Sequence, residues 1–373
     1  MVTGRNDNFG GLLLYRFQNF LNNLMELVQK YDLYTELIII EWNPQENKAY
    51  LNEVLSWKKK PKLLDIRIIQ VVNEIHRTII GSERMPFFEY IGKNVGILRA
   101  RGEFVLATNL DIIFNEELFT FFATKKLRKD SFYRIYRYDV EKPVRLFFTL
   151  EDRLKFCSEN VENIKTMKTE AKKLSFFTRM VRLIKNFRFT IYTKLKKVLR
   201  KLREKFFDVR NQKRITQLNT KISLKSIFHF TKSELKDFVR LIRTHILNFL
   251  KKRERLGLEE RLGVHAGAAG DFTLMSRENW HKLRGYPELK TQSFIDGYIL
   301  FMALAINLKQ IILEDPMRIY HQGHSRSQHA NRPLTSYENY MRDSIKMFKT
   351  HQLIIYNDEG WGLSDIFLNE IEI

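Results

Sequence analysis

The first 150 residues alternate two hydrophobic rhythms. Residues 12–31 and 89–99 carry apolar side chains at steps of three and four, the period of an amphipathic helix. Between and after them stand short continuous apolar runs: ELIII at 36–40, LDIRIIQVV at 64–72 and EFVLA at 103–107. Runs of this length without alternation predict strands buried on both faces. Strands separated by helices predict a parallel sheet covered on each side. Val2-Thr3 reads as the end of one more strand, either begun inside the chain's first residues or continued from a preceding segment, and a polar loop follows at 4–8. The expected class is α/β, with a mostly parallel sheet flanked by helices. Ligands of such sheets lie at the carboxyl ends of the strands. That is where Arg5, Asp7, Glu41, Asn109 and Asp111 fall.

Charge changes the picture by dividing the chain. The formal net charge of the 373 residues is +21, which points to an anionic partner such as a phosphorylated ligand, a membrane surface or nucleic acid. Residues 151–260 hold 30 Lys and Arg against 12 Asp and Glu, and 171–203 hold twelve basic residues and no acidic one. The chain therefore reads as a near-neutral block (1–150), a basic block (151–260) and a second near-neutral block (261–373). The basic block has almost no Gly or Pro before Gly257. An apolar stripe runs through it from Phe177, Met180 and Ile184 to Leu202 and Phe206, with most of the cations off the stripe. A helix of this kind suits an anionic membrane interface over 171–207. A helical hairpin packed on its own domain with a solvated basic face fits the same pattern. Nucleic acid is the weaker partner, because no reading motif accompanies the charge. No apolar run approaches the ~20 residues that a membrane span needs. The single cysteine, Cys157, excludes an internal disulfide framework. Together these predict a cytoplasmic chain, soluble or peripheral on the inner face of the plasma membrane.

The run ATNLD, 107–111, ends a buried strand with an amide and a carboxylate two residues apart. Alternate residues of an extended segment point the same way. The pair can then hold a sugar hydroxyl and a hard divalent cation together, as a nucleotide diphosphate requires. The order of motifs around it resembles the GT-A glycosyltransferases, in particular the inverting family 2 type. VTGRNDN stands where those enzymes have a first strand and nucleotide loop. IIIIEWNP stands where they have a second strand ending in an acid. KNVGILRARGEFVLATNLD follows their run of a basic residue with Asn, a helix, Ala-x-Gly-Glu, a strand and Asp-x-Asp. The first acid of that signature is Asn109 here, so the metal load shifts to Asp111.

In the last block, GAAGDFTLMSRENWHKLRGYPEL resembles the acceptor-side segment of the same enzymes, with the turn Gly285-Tyr286-Pro287. SFIDGYILF then carries one acid, Asp296, where the family has an acidic pair. The resemblance implies that Asp296 is the catalytic base; a cap on the following helix is the structural alternative. A histidine that completes the metal shell is implied at His321, with His324 as the alternative, and an imidazole suits Mn²⁺ better than Mg²⁺. Arg326 is a candidate phosphate contact. The implied fold is GT-A (Rossmann-like) with a basic helical insertion. The implied activity is sugar transfer from a nucleotide-diphosphate donor, a UDP-sugar, to a glycan or lipid-linked acceptor. The nucleotide site would include Thr3, Arg5, Asp7, Glu41, Lys93, Asn94, Asn109 and Asp111. Trp42, Trp57, Trp280 and Trp361 are possible sugar platforms, although core packing is the expected role of Trp42 and Trp280. The C-terminal tail, 356–373, reads as a loop and a short helix. A binding protein on a decayed core of the same kind fits Asn109 as well.

Overall fold

The computed structural model describes residues 1–8, 11–58, 60–165, 258–289, 293–324 and 337–373. The chain forms two compact units, Met1–Met167 with Val264–Ile373, and Lys168–Gly263. The amphipathic stripe at 171–207 and Arg326 lie outside the described residues, and the second unit is described only through the short helix Leu258–Leu262. The structural boundary comes later than the break in composition at 150. A helix and a strand from the start of the basic block, Leu150–Glu159 and Val161–Lys165, belong to the first unit and are not themselves basic.

Among the described residues the first unit runs through twelve strands. They are β1 Val2–Gly4, β2 Thr35–Trp42, β3 Leu64–Val71, β4 Phe104–Thr108, β5 Ile112–Phe114 and β6 Ser131–Ile135. Then come β7 Arg137–Val140, β8 Val161–Lys165, β9 Phe272–Ser276, β10 Lys309–Leu313, β11 Ile319–Gln322 and β12 Asn369–Glu372. Its main helices are α1 Leu13–Tyr31, α2 Leu51–Val54, α3 Asn73–Thr78, α4 Glu89–Arg99, α5 Glu116–Ala123, α6 Leu150–Glu159, α7 Arg277–Leu283, α8 Ile295–Ala305 and α9 Tyr337–Thr350.

One sheet has the order β1-β2-β3-β12 and another β10-β6-β9-β4. Backbone hydrogen bonds from the Met1 nitrogen to Leu106 O (2.8 Å) and from Thr108 N to Met1 O (3.2 Å) straddle Ala107 and join β1 to β4 as a parallel pair. Across the joined sheet the order is β12-β3-β2-β1-β4-β9-β6-β10. The chain lays down β1, β2 and β3 in one direction, then returns to place β4 on the other side of β1. This reversal is a topological switch point, where the connections leave in opposite directions and open a crevice. The sheet is mixed, since β9 and β12 run antiparallel to their neighbours. β12 replaces the expected short helix of the tail. Only a short 3₁₀ turn, Trp361–Leu363, precedes it, and a single apolar residue between acids (Asn369-Glu370-Ile371-Glu372) suits an edge strand. A third, smaller sheet has the order β5-β11-β7-β8.

Both faces of the sheet are covered, as the apolar strand runs predict. On one face the stripe of α1 (Phe17, Phe20, Leu21, Leu24, Leu27, Val28) meets Leu37 and Ile39 of β2 and Leu64, Ile66 and Ile68 of β3. On the other face α4 approaches β1 and β2 closely. A Cβ on Gly92 would stand 2.5 Å from Thr3 Cγ2, and one on Gly96 would stand 2.7 Å from Met1 Cε. The two glycines, four apart on one side of the helix, are the reason α4 can lie this near the backbone of β1. Trp42 and Trp280 are fully buried. Their indole N–H groups donate to His76 Nδ1 (3.1 Å) and Val105 O (3.0 Å), so both are core residues. Among the described residues no helix is long and apolar enough to cross a membrane.

Candidate metal centre and its surroundings

Strand register brings together residues about 210 positions apart. β11 pairs antiparallel with β5, setting His321 opposite Ile112, the residue after Asp111. Gln322 N donates to Asp111 O (3.0 Å), which draws the turn after β4 onto β11. Asn19 of α1 holds the Gln322 side chain (3.2 Å), so the junction is fixed from the helix layer as well. His321 Nε2 lies 3.7 Å and His324 Nε2 3.3 Å from Asp111 Oδ2. The three side chains can offer one ligand atom each within 4.8 Å of one another. Sequence reasoning left His321 and His324 as alternatives; the fold brings both to Asp111. β7 runs parallel to β11 on its other side and pairs Asp139 with His321. Asp139 Oδ1 is 3.5 Å from His321 Nδ1, leaving Nε2 turned to Asp111.

The donor set fits a divalent cation. Asp111 is 7% exposed, and its Oδ1 has no hydrogen-bond partner among the described residues. A buried carboxylate oxygen left in this state costs free energy unless something binds it. Burial alone would raise the Asp111 carboxyl. Hydrogen bonding from His324 and the positive charges of His321, His324 and Arg16 outweigh it and hold the group below the ordinary range. Burial likewise opposes ionisation of Asp139, but His321 and Arg137 bring it down to about 2. Two imidazoles and one carboxylate favour Mn²⁺ over Mg²⁺. A carboxylate behind a ligating histidine is the usual device for fixing its ring and tautomer.

Asn109 does not point into open space. Its Oδ1 accepts from Lys93 Nζ (2.8 Å) and its Nδ2 donates to Asp271 Oδ1 (2.7 Å). Lys93 is fully buried and also donates to Glu89 Oε1 (2.8 Å) and Gly270 O (2.7 Å). All three ammonium donors are thereby used. Arg137 NH1 donates to Asp271 Oδ2, and Arg137 Nε lies 2.8 Å from Asp139 Oδ1. A continuous chain of charges therefore runs from Glu89 and Lys93 through Asn109, Asp271, Arg137 and Asp139 to His321.

Asp296 stands in the first turn of α8, within the same neighbourhood. Among the described residues its carboxylate makes no hydrogen bond or ion pair. It does not cap α8: the helix begins after Phe294, with no side-chain cap bond. A Cβ on Gly270 would meet Tyr90 Oη at 3.1 Å and Asp296 Oδ2 at 3.8 Å, so the backbone at 270 lies close to both groups. Burial raises the Asp296 carboxyl, against the attraction of the nearby Arg134 guanidinium. Arg134 is itself fully buried and donates to Gly267 O, His265 O, Ala269 O and Thr273 Oγ1, which fixes the loop that carries Gly270 and Asp271.

The other expected nucleotide contacts are engaged inside the fold. Glu41 is fully buried between Leu51 N (2.8 Å) and Gln70 Nε2 (3.0 Å), joining β2 to α2 and β3, and burial raises its carboxyl. Asn94 is fully buried and clamps Tyr286 N and O and Glu288 Oε1, which holds the Gly285-Tyr286-Pro287 turn against α4. Thr3 packs on Gly92 with its hydroxyl buried. Arg5 and Asp7 pair with each other at 2.6 Å beside the end of β1, and Arg5 reaches Pro86 O (3.1 Å). Of the nine residues expected to bind nucleotide or catalyse, Asp111 and Asp296 keep carboxylate oxygens that no group among the described residues uses.

Tyr90, Arg134, Arg137, Asp139 and Asp271 were not singled out from the sequence. Asp271 had the best local signal: GAAGD ends in an acid directly before a strand, the position that Asp111 occupies before β5. The chain matches no protein-family model and no curated protein.

Proposed function

We propose that the chain is a metal-dependent glycosyltransferase of the GT-A type, taking its sugar from a nucleotide diphosphate. The observation that carries this reading is the meeting of Asp111, His321 and His324 at the carboxyl end of β4, beside the β1–β4 switch point. A crevice there, lined by oxygen and imidazole donors, suits a diphosphate with its cation. A divalent cation held by Asp111, His321 and His324 would neutralise the charge that develops on the departing diphosphate. The Asp296 carboxylate, which has no hydrogen-bond partner among the described residues, would take the proton of an acceptor hydroxyl. The charge of Asp271 acts on both His321 and Asp296, so one residue stands within electrostatic range of both centres. The inverting outcome, the UDP-sugar donor and the glycan or lipid-linked acceptor are parts of the same proposal. So is attachment to an anionic membrane through 171–207.

The test is thermal melting with UDP, GDP, CDP and dTDP, each with and without Mn²⁺. A ligand that binds only the folded state at 100 times its Kd adds about 2.7 kcal/mol. The expected result is a rise in melting temperature for one nucleotide that requires Mn²⁺. No rise with any nucleotide, on folded protein, rejects the reading. A decayed binding protein is the second reading, favoured by the amide at 109. It shares the Mn²⁺-dependent rise but predicts no release of sugar from any donor that binds.

A further inference from the structure

The proposed transferase lacks an acid at 109, where the enzymes it resembles carry one. β4 and β9 pair antiparallel with Thr108 opposite Phe272. The next rung beyond the ends of both strands therefore sets Asn109 against Asp271, and the amide of one donates to the carboxylate of the other at 2.7 Å. Asp271 is 5% exposed and is tied by its backbone O to Thr108 Oγ1 (2.7 Å). We propose that Asp271 supplies the carboxylate that position 109 lacks, and that the two side chains act as one charged unit whose charge has crossed a single rung of the ladder. The inference rests on the metal-dependent reading above. Asp271 is outside the group of three that can ligate directly, so it is a positioning residue. It orients Asn109, anchors Arg137 behind Asp139 and His321, and adds negative charge near the cation.

The hydrogen bonds of the pair permit a decisive exchange. Asn109 gives its N–H to Asp271 and its carbonyl to Lys93, and the second oxygen of Asp271 accepts from Arg137. In the double variant Asn109→Asp with Asp271→Asn every one of these bonds can be remade, with the direction of the bond between the pair reversed. The amide at 271 donates to the acid at 109 and accepts from Arg137, and the acid accepts from Lys93. Net charge is unchanged; only its position moves. Asn109→Asp alone sets two carboxylates face to face with no donor between them. Asp271→Asn alone removes the charge and breaks one bond, because the new amide nitrogen faces a donor, either Asn109 Nδ2 or Arg137.

The experiment measures binding of Mn²⁺ alone to the four full-length proteins by the electron paramagnetic resonance of free Mn²⁺, with melting curves on each. Loss of a group behind metal ligands typically weakens metal binding about 10–100-fold. The expected results are a fall of at least ~10-fold for Asp271→Asn, a lower melting temperature for Asn109→Asp, and recovery of most of the lost affinity in the double variant. Wild-type affinity in Asp271→Asn overturns the assignment. So does a double variant that binds no better than Asp271→Asn, or one that fails to fold. A wild-type chain that binds no Mn²⁺ removes the metal-dependent reading itself, which separates the two failures.

Discussion

Two buried charge clusters in this protein use the same chemistry to opposite ends. Around Arg67 of β3 the donors and acceptors are matched. Nε and one NH2 bond Glu36 Oε1 (3.0 and 2.7 Å), that NH2 also bonds Arg99 O (2.6 Å), and the other reaches Glu370 Oε1 on β12 (2.9 Å). Glu36 Oε2 accepts from Arg101 N (2.8 Å). Around Asp111 the matching stops short. Arg137 is shared between two acids, two imidazoles crowd one carboxylate oxygen, and the other oxygen has no partner among the described residues. A closed cluster stabilises the join between β12 and the sheet. An open one leaves a buried oxygen whose desolvation a bound cation would offset.

The largest break in this comparison is expected from Asp111→Ala. It should abolish Mn²⁺-dependent nucleotide binding, beyond the ~10–100-fold of a lost supporting group, with only a modest fall in the melting temperature of the free protein, because the contacts that hold Asp111 below its ordinary range favour folding at neutral pH. Isothermal titration with Mn²⁺ and melting curves check both halves. Arg67→Met should do the reverse. Glu36 and Glu370 would lose their buried partner at a cost of about 3 kcal/mol, read in urea unfolding, with Mn²⁺ affinity unchanged.

Asp296→Asn sharpens the contrast from the catalytic side. Sugar transfer should cease. Because burial raises the folded-state carboxyl above its unfolded value, the wild-type group favours folding at low pH and loses that contribution as pH rises through the folded value. The amide should therefore raise the melting temperature at pH 7 by about 2 °C, and this gain should vanish in acid, where Asp296 is protonated. A variant less stable than wild type at pH 7 would contradict the raised carboxyl. The smallest effect is expected from Trp280→Phe, which removes the bond to Val105 O at a cost near 1 kcal/mol, with no change in any ligand response.

Much of the scaffold was legible in the chain. The helix expected at 89–99 is α4 Glu89–Arg99, and the runs at 36–40 and 64–72 are the cores of β2 and β3. Asp111, His321 and Asp296 were read as chemical residues, and among the described residues Asp111 Oδ1 and the Asp296 carboxylate have no hydrogen-bond partner. Less legible were the roles of Lys93, Asn94 and Glu41. Each carries the residue type that a nucleotide site uses, yet each spends its polar atoms on the fold. Type alone does not reveal whether a donor is already taken.

Periodicity, glycine spacing and apolar runs are local, so the sequence by itself determined α4 and the cores of β2 and β3, though not the tail, where strand β12 stands in place of the expected helix. Tertiary structure decided what depends on register. That β9 runs antiparallel beside β4 sets Asp271 against Asn109 across 162 positions. That β11 lies between β5 and β7 sets His321 between Asp111 and Asp139. A shift of one residue in either ladder would turn these side chains to the other face of the sheet. The ladder places the side chains of 109 and 271 side by side, which is what lets the proposed charge sit on either one with the hydrogen-bonded pair kept.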